Sequence, residues 1–371
     1  MLTLEKILVS ARKHGASDVH LVCGLSPAFR INGEIRVVEG HPLQAADLRT
    51  IYDGLLTPEQ KTVFENDWQI CFSRRLEKIG RFRISVYLHA GSPEFSIRLC
   101  ESSIRTAQEL GLPEAIEDLT RLTSGLVLIT GPTGMGKTTT MNYIVNTINE
   151  TRRAKIITIE DPVEIEHRNL RSIVIQQELL GDVKSYQSAL RHVLRQDPDV
   201  IVIGEMRDLD TMETALIAAE TGHLVLATLH TPDAVQTVQR IYSVFPAQQQ
   251  NSITVQLANS LQAIIAQKLL PRAADDGRIL ACEVCMCTPA VRNHIREHQV
   301  HLLYSEMQTG RKHKMQTMDQ TLLTIYQRGD ISYDIALSHA YDPNFIRHRI
   351  EGNSEAPTTT FASGRGRAGT S

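Results

Sequence analysis

Near the start of the chain, apolar residues recur at Leu4, Ile7, Leu8 and Ala11, with Glu5, Lys6, Arg12 and Lys13 around them. This is the spacing of one helix face and predicts a helix over residues 3–14. The pattern then shortens. Runs at 18–22, 28–31, 33–38, 69–74, 80–88 and 94–100 predict strands, and Asn32-Gly33 between two of them is a hairpin signal. Helices are predicted at 45–55 and 57–66, the second with Pro58 at its start. From about residue 113 the rhythm changes again. Apolar strands at 126–129, 155–159, 173–176, 200–204 and 224–229 alternate with helices at 138–147, 186–194 and 210–221. Such alternation predicts a parallel α/β sheet covered on both faces. A helix is expected over 246–267, a turn at 271–277, a strand at 279–286 and helices from there to about 350. The expected division is an α+β domain over 1–100, a linker over 101–112 and an α/β domain with a helical C-terminal region over 113–350. Residues 351–371 are rich in Gly, Ser and Thr without periodicity and read as a disordered tail.

Composition changes this picture little. With 371 residues, 42% hydrophobic and 22% charged, the chain has the make-up of a soluble protein large enough for two cores. Its net charge of −3 points to no polyanion. No apolar run is long enough to span a bilayer, and charges interrupt the N-terminal apolar residues, so no signal peptide is expected and the cytoplasm is the expected place. Of six cysteines, Cys282, Cys285 and Cys287 cluster in ILACEVCMC, which contains a CxxC. A zinc site needs further ligands that are not evident, and the segment reads better as a buried strand.

Chemistry concentrates in four segments. GPTGMGKT at Gly131, Pro132, Thr133, Gly134, Met135, Gly136, Lys137 and Thr138, followed by Thr139, fits a phosphate-binding loop between a strand and a helix. The glycines let backbone N–H groups curl around phosphate, Lys137 reaches the β- and γ-phosphates, and the Thr138 hydroxyl is a Mg²⁺ ligand. ATP with Mg²⁺ is the expected nucleotide. DVIVIGEMRD puts Glu205 at the carboxyl end of a strand, where ligands bind in such sheets, able to hold Mg²⁺ through water. IITIEDPVEIEH supplies Glu160, Asp161 and Glu164, one of which is a candidate general base. TGHLVLATLHT puts His223 and His230 at opposite ends of an apolar strand, with His230 at the edge shared by the other motifs and able to sense the γ-phosphate.

In this order and spacing, the four motifs resemble those of the secretion ATPases that power type II secretion and type IV pili: the Walker A, Asp box, Walker B and His box. The resemblance covers about residues 1–350. It is nearest to the retraction ATPases of type IV pili, because TPAVRNHIRE at 288–297 and MQTMDQTL at 315–322 resemble their signatures. The extra N-terminal domain of many extension and secretion relatives is not expected, and their four-cysteine insert does not occur in this sequence. Within TPAVRNHIRE, His294 replaces a leucine and Val291 an isoleucine. The resemblance implies a PAS-like N-terminal domain, a RecA-like P-loop ATPase domain and a homohexameric ring. It implies that Glu164 is the catalytic glutamate and Glu205 the magnesium residue. It also implies that Arg81 and Arg83 of GRFRISVY are offered to nucleotide at a subunit junction. From spacing alone, the two arginines are alternating strand residues on one face. The implied function is pilus retraction at the inner face of the cytoplasmic membrane, with an inner-membrane platform protein and other pilus ATPases as partners. The alternatives are an accessory retraction or extension ATPase and, at a distance, a nucleic-acid translocase. With aromatics at 5% and no basic stripe, nucleic acid is not an expected partner.

Overall fold

The computed structural model describes residues 3–31, 33–76, 79–100, 103–274 and 277–351. The first hundred residues form a six-stranded antiparallel sheet: β1 (Asp18–Leu21), β2 (Ala28–Ile31), β3 (Glu34–Val37), β4 (Gln69–Leu76), β5 (Gly80–His89) and β6 (Ser92–Leu99), in spatial order β3-β2-β1-β6-β5-β4. Helices α1 (Leu4–Lys13), α2 (Ala45–Leu55) and α3 (Pro58–Asp67) accompany it. Ile7, Leu8, Leu48, Tyr52, Phe82, Ile84 and Phe95 share this core. Along β5 the inward residues are Phe82, Ile84 and Val86, which leaves Arg81, Arg83 and Ser85 on the opposite face. The predicted hairpin is present as the pairing of Ile31 with Glu34, although Asn32 itself lies outside the described residues.

The segment expected as a linker holds a short helix, α4 (Ala107–Leu110), with a Thr106–Glu109 capping box and Gly111 closing it at φ 66°. Residues 101 and 102 lie outside the described residues. After α5 (Ala115–Thr120), the chain builds a seven-stranded sheet in the order β13-β12-β7-β11-β10-β8-β9. Its strands are β7 (Gly125–Thr130), β8 (Lys155–Glu160), β9 (Ile173–Glu178), β10 (Val200–Ile203), β11 (Leu224–Leu229), β12 (Leu261–Pro271) and β13 (Arg278–Met286). Six run parallel, and β13 is antiparallel to β12 at the edge. Every residue of β7, β10 and β11 is buried, as expected of strands covered on both faces. The intervening helices are α6 (Lys137–Thr151), α7 (Tyr186–Val193), α8 (Leu209–Glu220), α9 (Ala234–Val244) and α10 (Ala247–Ser260).

The helix expected over 246–267 divides. It stops at Ser260, and Leu261–Ala266 joins the sheet beside β7. The apolar run continues through the boundary, so periodicity gives no break there. The strand nevertheless satisfies the second hydrogen-bonding edge of β7, which would otherwise be open. Helix α9, absent from the sequence reading, is capped by Asp233, whose side chain accepts from the Gln236 amide.

The C-terminal region is helical, as expected: α11 (Pro289–Arg296), α12 (Leu303–Thr309), α13 (Met318–Gln327), α14 (Tyr333–His339) and α15 (Pro343–Glu351). His294 does not undock α11. Val291 and Ile295 remain buried, and the His294 ring meets Glu306 of α12 at 3.2 Å. All but the first residue of the expected tail lies outside the described residues. Among described residues, no helix is long and apolar enough to cross a membrane.

Candidate nucleotide site

The carboxyl ends of β7, β8, β10 and β11 open onto one cavity of about 430 Å³. Its lining includes Thr133, Gly134, Gly136, Lys137, Thr138 and Thr139 of the phosphate-binding loop, all three Asp-box acids, Glu205 and His230. Four motifs scattered over a hundred residues therefore meet because parallel strands present their carboxyl ends on one side.

The loop's backbone requires its glycines. Gly131, Gly134 and Gly136 have φ of 136°, 82° and 82°. At Gly131 a Cβ would also lie 2.4 Å from the Gln267 carbonyl oxygen of β12, so this position must be glycine for the loop to pass the neighbouring strand. The Lys137 ammonium donates to the Gly131 oxygen at 2.5 Å and the Pro132 oxygen at 3.0 Å, and lies 3.4 Å from His230 Nδ1. Burial lowers its pKa, and the Glu205 carboxylate opposes the shift. Pro132 and Met135 belong to the loop without lining the cavity. The Met135 sulfur accepts from the Leu269 amide and ties the loop to β12.

On the adjacent strands, Glu205 Oε1 accepts from His230 Nε2 at 2.9 Å, and both its oxygens take Arg207 at 2.7 Å. Burial alone would raise the Glu205 pKa, but Arg207 and His230 outweigh it and hold the carboxyl below its ordinary range. His223 sits at the far end of β11, hydrogen-bonded to the Ala218 carbonyl, away from this cavity. The three acids of the Asp box differ. Glu160 is buried and accepts from Thr158 at 2.6 Å and Gln176 at 3.0 Å; burial raises its pKa despite these bonds. Glu164 is partly exposed and faces Arg83 at 3.6 Å.

No cluster of three or more His, Cys, Asp or Glu among the described residues could cage a metal. Hard oxygens of Thr138, Asp161, Glu164 and Glu205 nevertheless line the cavity. That donor set fits Mg²⁺ arriving with phosphates, since this ion takes one or two protein oxygens and keeps waters. The cysteines contribute nothing here: Cys282 and Cys285 are buried in β13, and burial pushes Cys282 up to about 12.

The far wall of the cavity comes from the N-terminal sheet, through Arg83 and Arg98. These two are direct cross-strand partners on β5 and β6. Like charges in that relation repel unless anions offset them. Glu164 serves Arg83, and Asp18 serves Arg98 at 2.9 Å. Arg98 was not singled out in the sequence, because its signal is the register that sets it opposite Arg83, which one strand alone does not reveal. Arg207 follows Glu205 with no spacing signal of its own, and Tyr186 and Arg278, also on the cavity wall, have no motif to mark them.

Arg81, two residues before Arg83, has another place. Its Nε donates to the Val163 oxygen at 2.6 Å, and its terminal nitrogens meet Glu166 at 2.7 Å, Glu178 at 2.6 Å and the Ser73 hydroxyl. Glu178 also accepts from the Ser73 amide at 2.9 Å and the Val163 amide at 3.2 Å. Within this chain, Arg81 is therefore placed apart from Arg83. Its guanidinium joins the two sheets, and it does not line the cavity. Arg83 lines the same cavity as the phosphate-binding loop of its own chain.

Comparison with known proteins agrees with this geometry. The family model described as "Type II/IV secretion system protein" matches residues 1–334. The type IV pilus retractation ATPase PilT of Pseudomonas aeruginosa is 38% identical over 342 residues, 92% of this chain and 99% of that protein. The type IV pilus ATPase PilU of the same organism is 36% identical over 362 residues, 98% of this chain and 95% of its own. The crystal structure of the pilus retraction motor PilT with bound ADP superposes with a TM-score of 0.88 at 40% identity, covering 94% of this chain and 100% of that one. With a phosphate-binding loop, paired carboxylates and a histidine on one sheet edge, this chain belongs to the type II/IV secretion system protein family and is an ATPase.

Proposed function

We propose that this chain is a type IV pilus retraction ATPase that works as a homohexameric ring. In this reading it lies against the inner face of the cytoplasmic membrane, beside the platform protein of the pilus and other pilus ATPases. The observation that carries the reading is the near-complete coverage of PilT, at 38% identity, by a chain with the same fold and a fully furnished nucleotide cavity. The family resemblance supports the ring and the membrane partner.

Hydrolysis follows from the cavity's chemistry. The loop amides and Lys137 bind and orient the phosphates, with Lys137 leaving the loop carbonyls for phosphate oxygens. Thr138, with Glu205 acting through water, would hold Mg²⁺, which neutralises phosphate charge when bound. Glu164 takes the proton of the attacking water. Arg83 and Arg98 then stabilise the charge that spreads over the transferring group. His230, hydrogen-bonded to Glu205 and 3.5 Å from the Thr133 hydroxyl, relates the loop to the strand carboxylate. Arg81 anchors the N-terminal wall.

Deleting the gene in its own organism tests the reading. Hyperpiliated cells whose pili do not retract are expected, and bald cells would identify an extension motor. A second reading, an accessory retraction ATPase, draws on the 98% coverage by the alignment with PilU. It predicts that retraction persists with reduced force after deletion.

A further inference from the structure

A second cavity, of about 610 Å³, lies beside the edge strand β13, between the linker and the C-terminal helices. It is larger than the nucleotide cavity and falls within the range of small-molecule sites. Arg311, Arg328 and Arg349 line it, from the turn after α12, the end of α13 and α15, and no Asp or Glu does. None of the three has an ion-pair partner among the described residues. Nearby acids are engaged elsewhere. Glu114 and Asp118 bind Lys314 at 2.9 and 2.7 Å, and Asp330 binds Arg272. Asp319 is buried against Tyr304 and the amides of Tyr341 and Asp342. A concave surface with three guanidinium groups that no described acid pairs with attracts a multiply charged anion, and planar guanidinium suits phosphate above all.

The rest of the lining narrows the ligand. Arg349 stacks over the Phe345 ring at 5.6 Å, and Leu112 and Leu280 add apolar wall. The Arg349–Phe345 surface beside Arg311 and Arg328 suits a base joined to phosphates. We propose that this cavity is a second nucleotide-binding site, distinct from the phosphate-binding loop. Its position bears on the first site, because Arg278 of β13 lines the nucleotide cavity while Leu280 and Cys282 line this one. Residues two and four apart share a strand face, so both ligands press on the same side of one strand. The proposal does not depend on the pilus reading.

Photolabelling with 8-azido-ADP and peptide mapping locates the sites separately. The expected result is saturable label in peptides covering 308–349 as well as in those of the phosphate-binding loop. Arg311→Gln/Arg328→Gln/Arg349→Gln should cut the first label at least about tenfold, the loss expected from about 1.4 kcal/mol of binding, and spare the second. Lys137→Ala should do the reverse. An intact loop label reports that the triple variant is folded. If the triple variant loses both labels, Arg328→Gln alone, measured in the same way, decides by the same criterion. No label in 308–349 at saturating probe, or a label indifferent to the arginines, overturns the proposal.

Discussion

The two walls of the nucleotide cavity are built on different principles. One is the edge of a parallel sheet whose strands β7, β10 and β11 are buried at every residue. The other is the outward face of an antiparallel sheet, carrying Arg83 and Arg98, attached through polar contacts. The first wall holds Lys137, Thr138 and Glu205 on a rigid base, as precise chemistry requires. The second holds its arginines on a body whose attachment centres on Arg81, Glu178 and Glu166. Phosphate binding thus belongs to the wall built on a buried sheet, and charge stabilisation to the wall held by polar contacts.

If that division holds, the largest effect should come from the rigid wall. Lys137→Ala should abolish steady-state ATPase activity, because no other loop cation reaches the β- and γ-phosphates. Near-normal turnover in the purified variant would remove the site assignment.

Glu164→Gln should lose about 100-fold or more in turnover while still binding nucleotide, since an amide cannot accept the water's proton. Glu160→Gln serves as its control. If Glu160→Gln stops hydrolysis and Glu164→Gln does not, the buried acid with the raised pKa is the base.

The two arginines of β5 sharpen the comparison within one strand. Arg83→Ala should cut turnover with little change in melting temperature. Arg81→Ala leaves Glu178 without its charge partner, for which about 3 kcal/mol is the expected cost. It should therefore loosen the N-terminal sheet and expose the 161–167 loop to limited proteolysis. Equal melting temperatures for the two variants would erase the distinction.

The smallest expected effect lies beyond both walls. Glu283 of β13 is buried, accepts from the Ala234 amide at 2.8 Å, and burial raises its pKa to about 7. A carboxyl raised above its unfolded value contributes stability that is complete below the ordinary value of 4.5 and is lost as pH rises from there through about 7. Glu283→Gln should therefore gain stability relative to the parent between pH 5 and 8, by a few kcal/mol at most. Thermal melts at both pH values check the sign.

Much of the rigid wall was legible in the sequence because its signals are local. A loop of fixed spacing follows an apolar strand, and acids or a histidine end the neighbouring strands. The division at Ser260 was hidden, since an apolar run long enough for a helix also fits a strand when an open sheet edge waits for it. The arginine-bearing wall was less legible still. Arg81 and Arg83 share a face as the alternation predicts, yet one anchors and the other lines the cavity. The difference lies in Glu178 and Glu166, about a hundred residues away. Arg98 needed the register of β6 against β5.

Mixed assemblies test most directly whether one chain builds both walls of its own cavity. Arg83→Ala/Arg98→Ala subunits keep the phosphate-binding loop, and Lys137→Ala subunits keep the arginines. ATPase rates are measured for each variant alone and for mixtures, with assembly followed by light scattering. The account predicts that the mixture's rate equals the weighted mean of its parents at every ratio. A mixture several-fold more active than either parent would contradict it, because the arginines would then serve a neighbour's nucleotide.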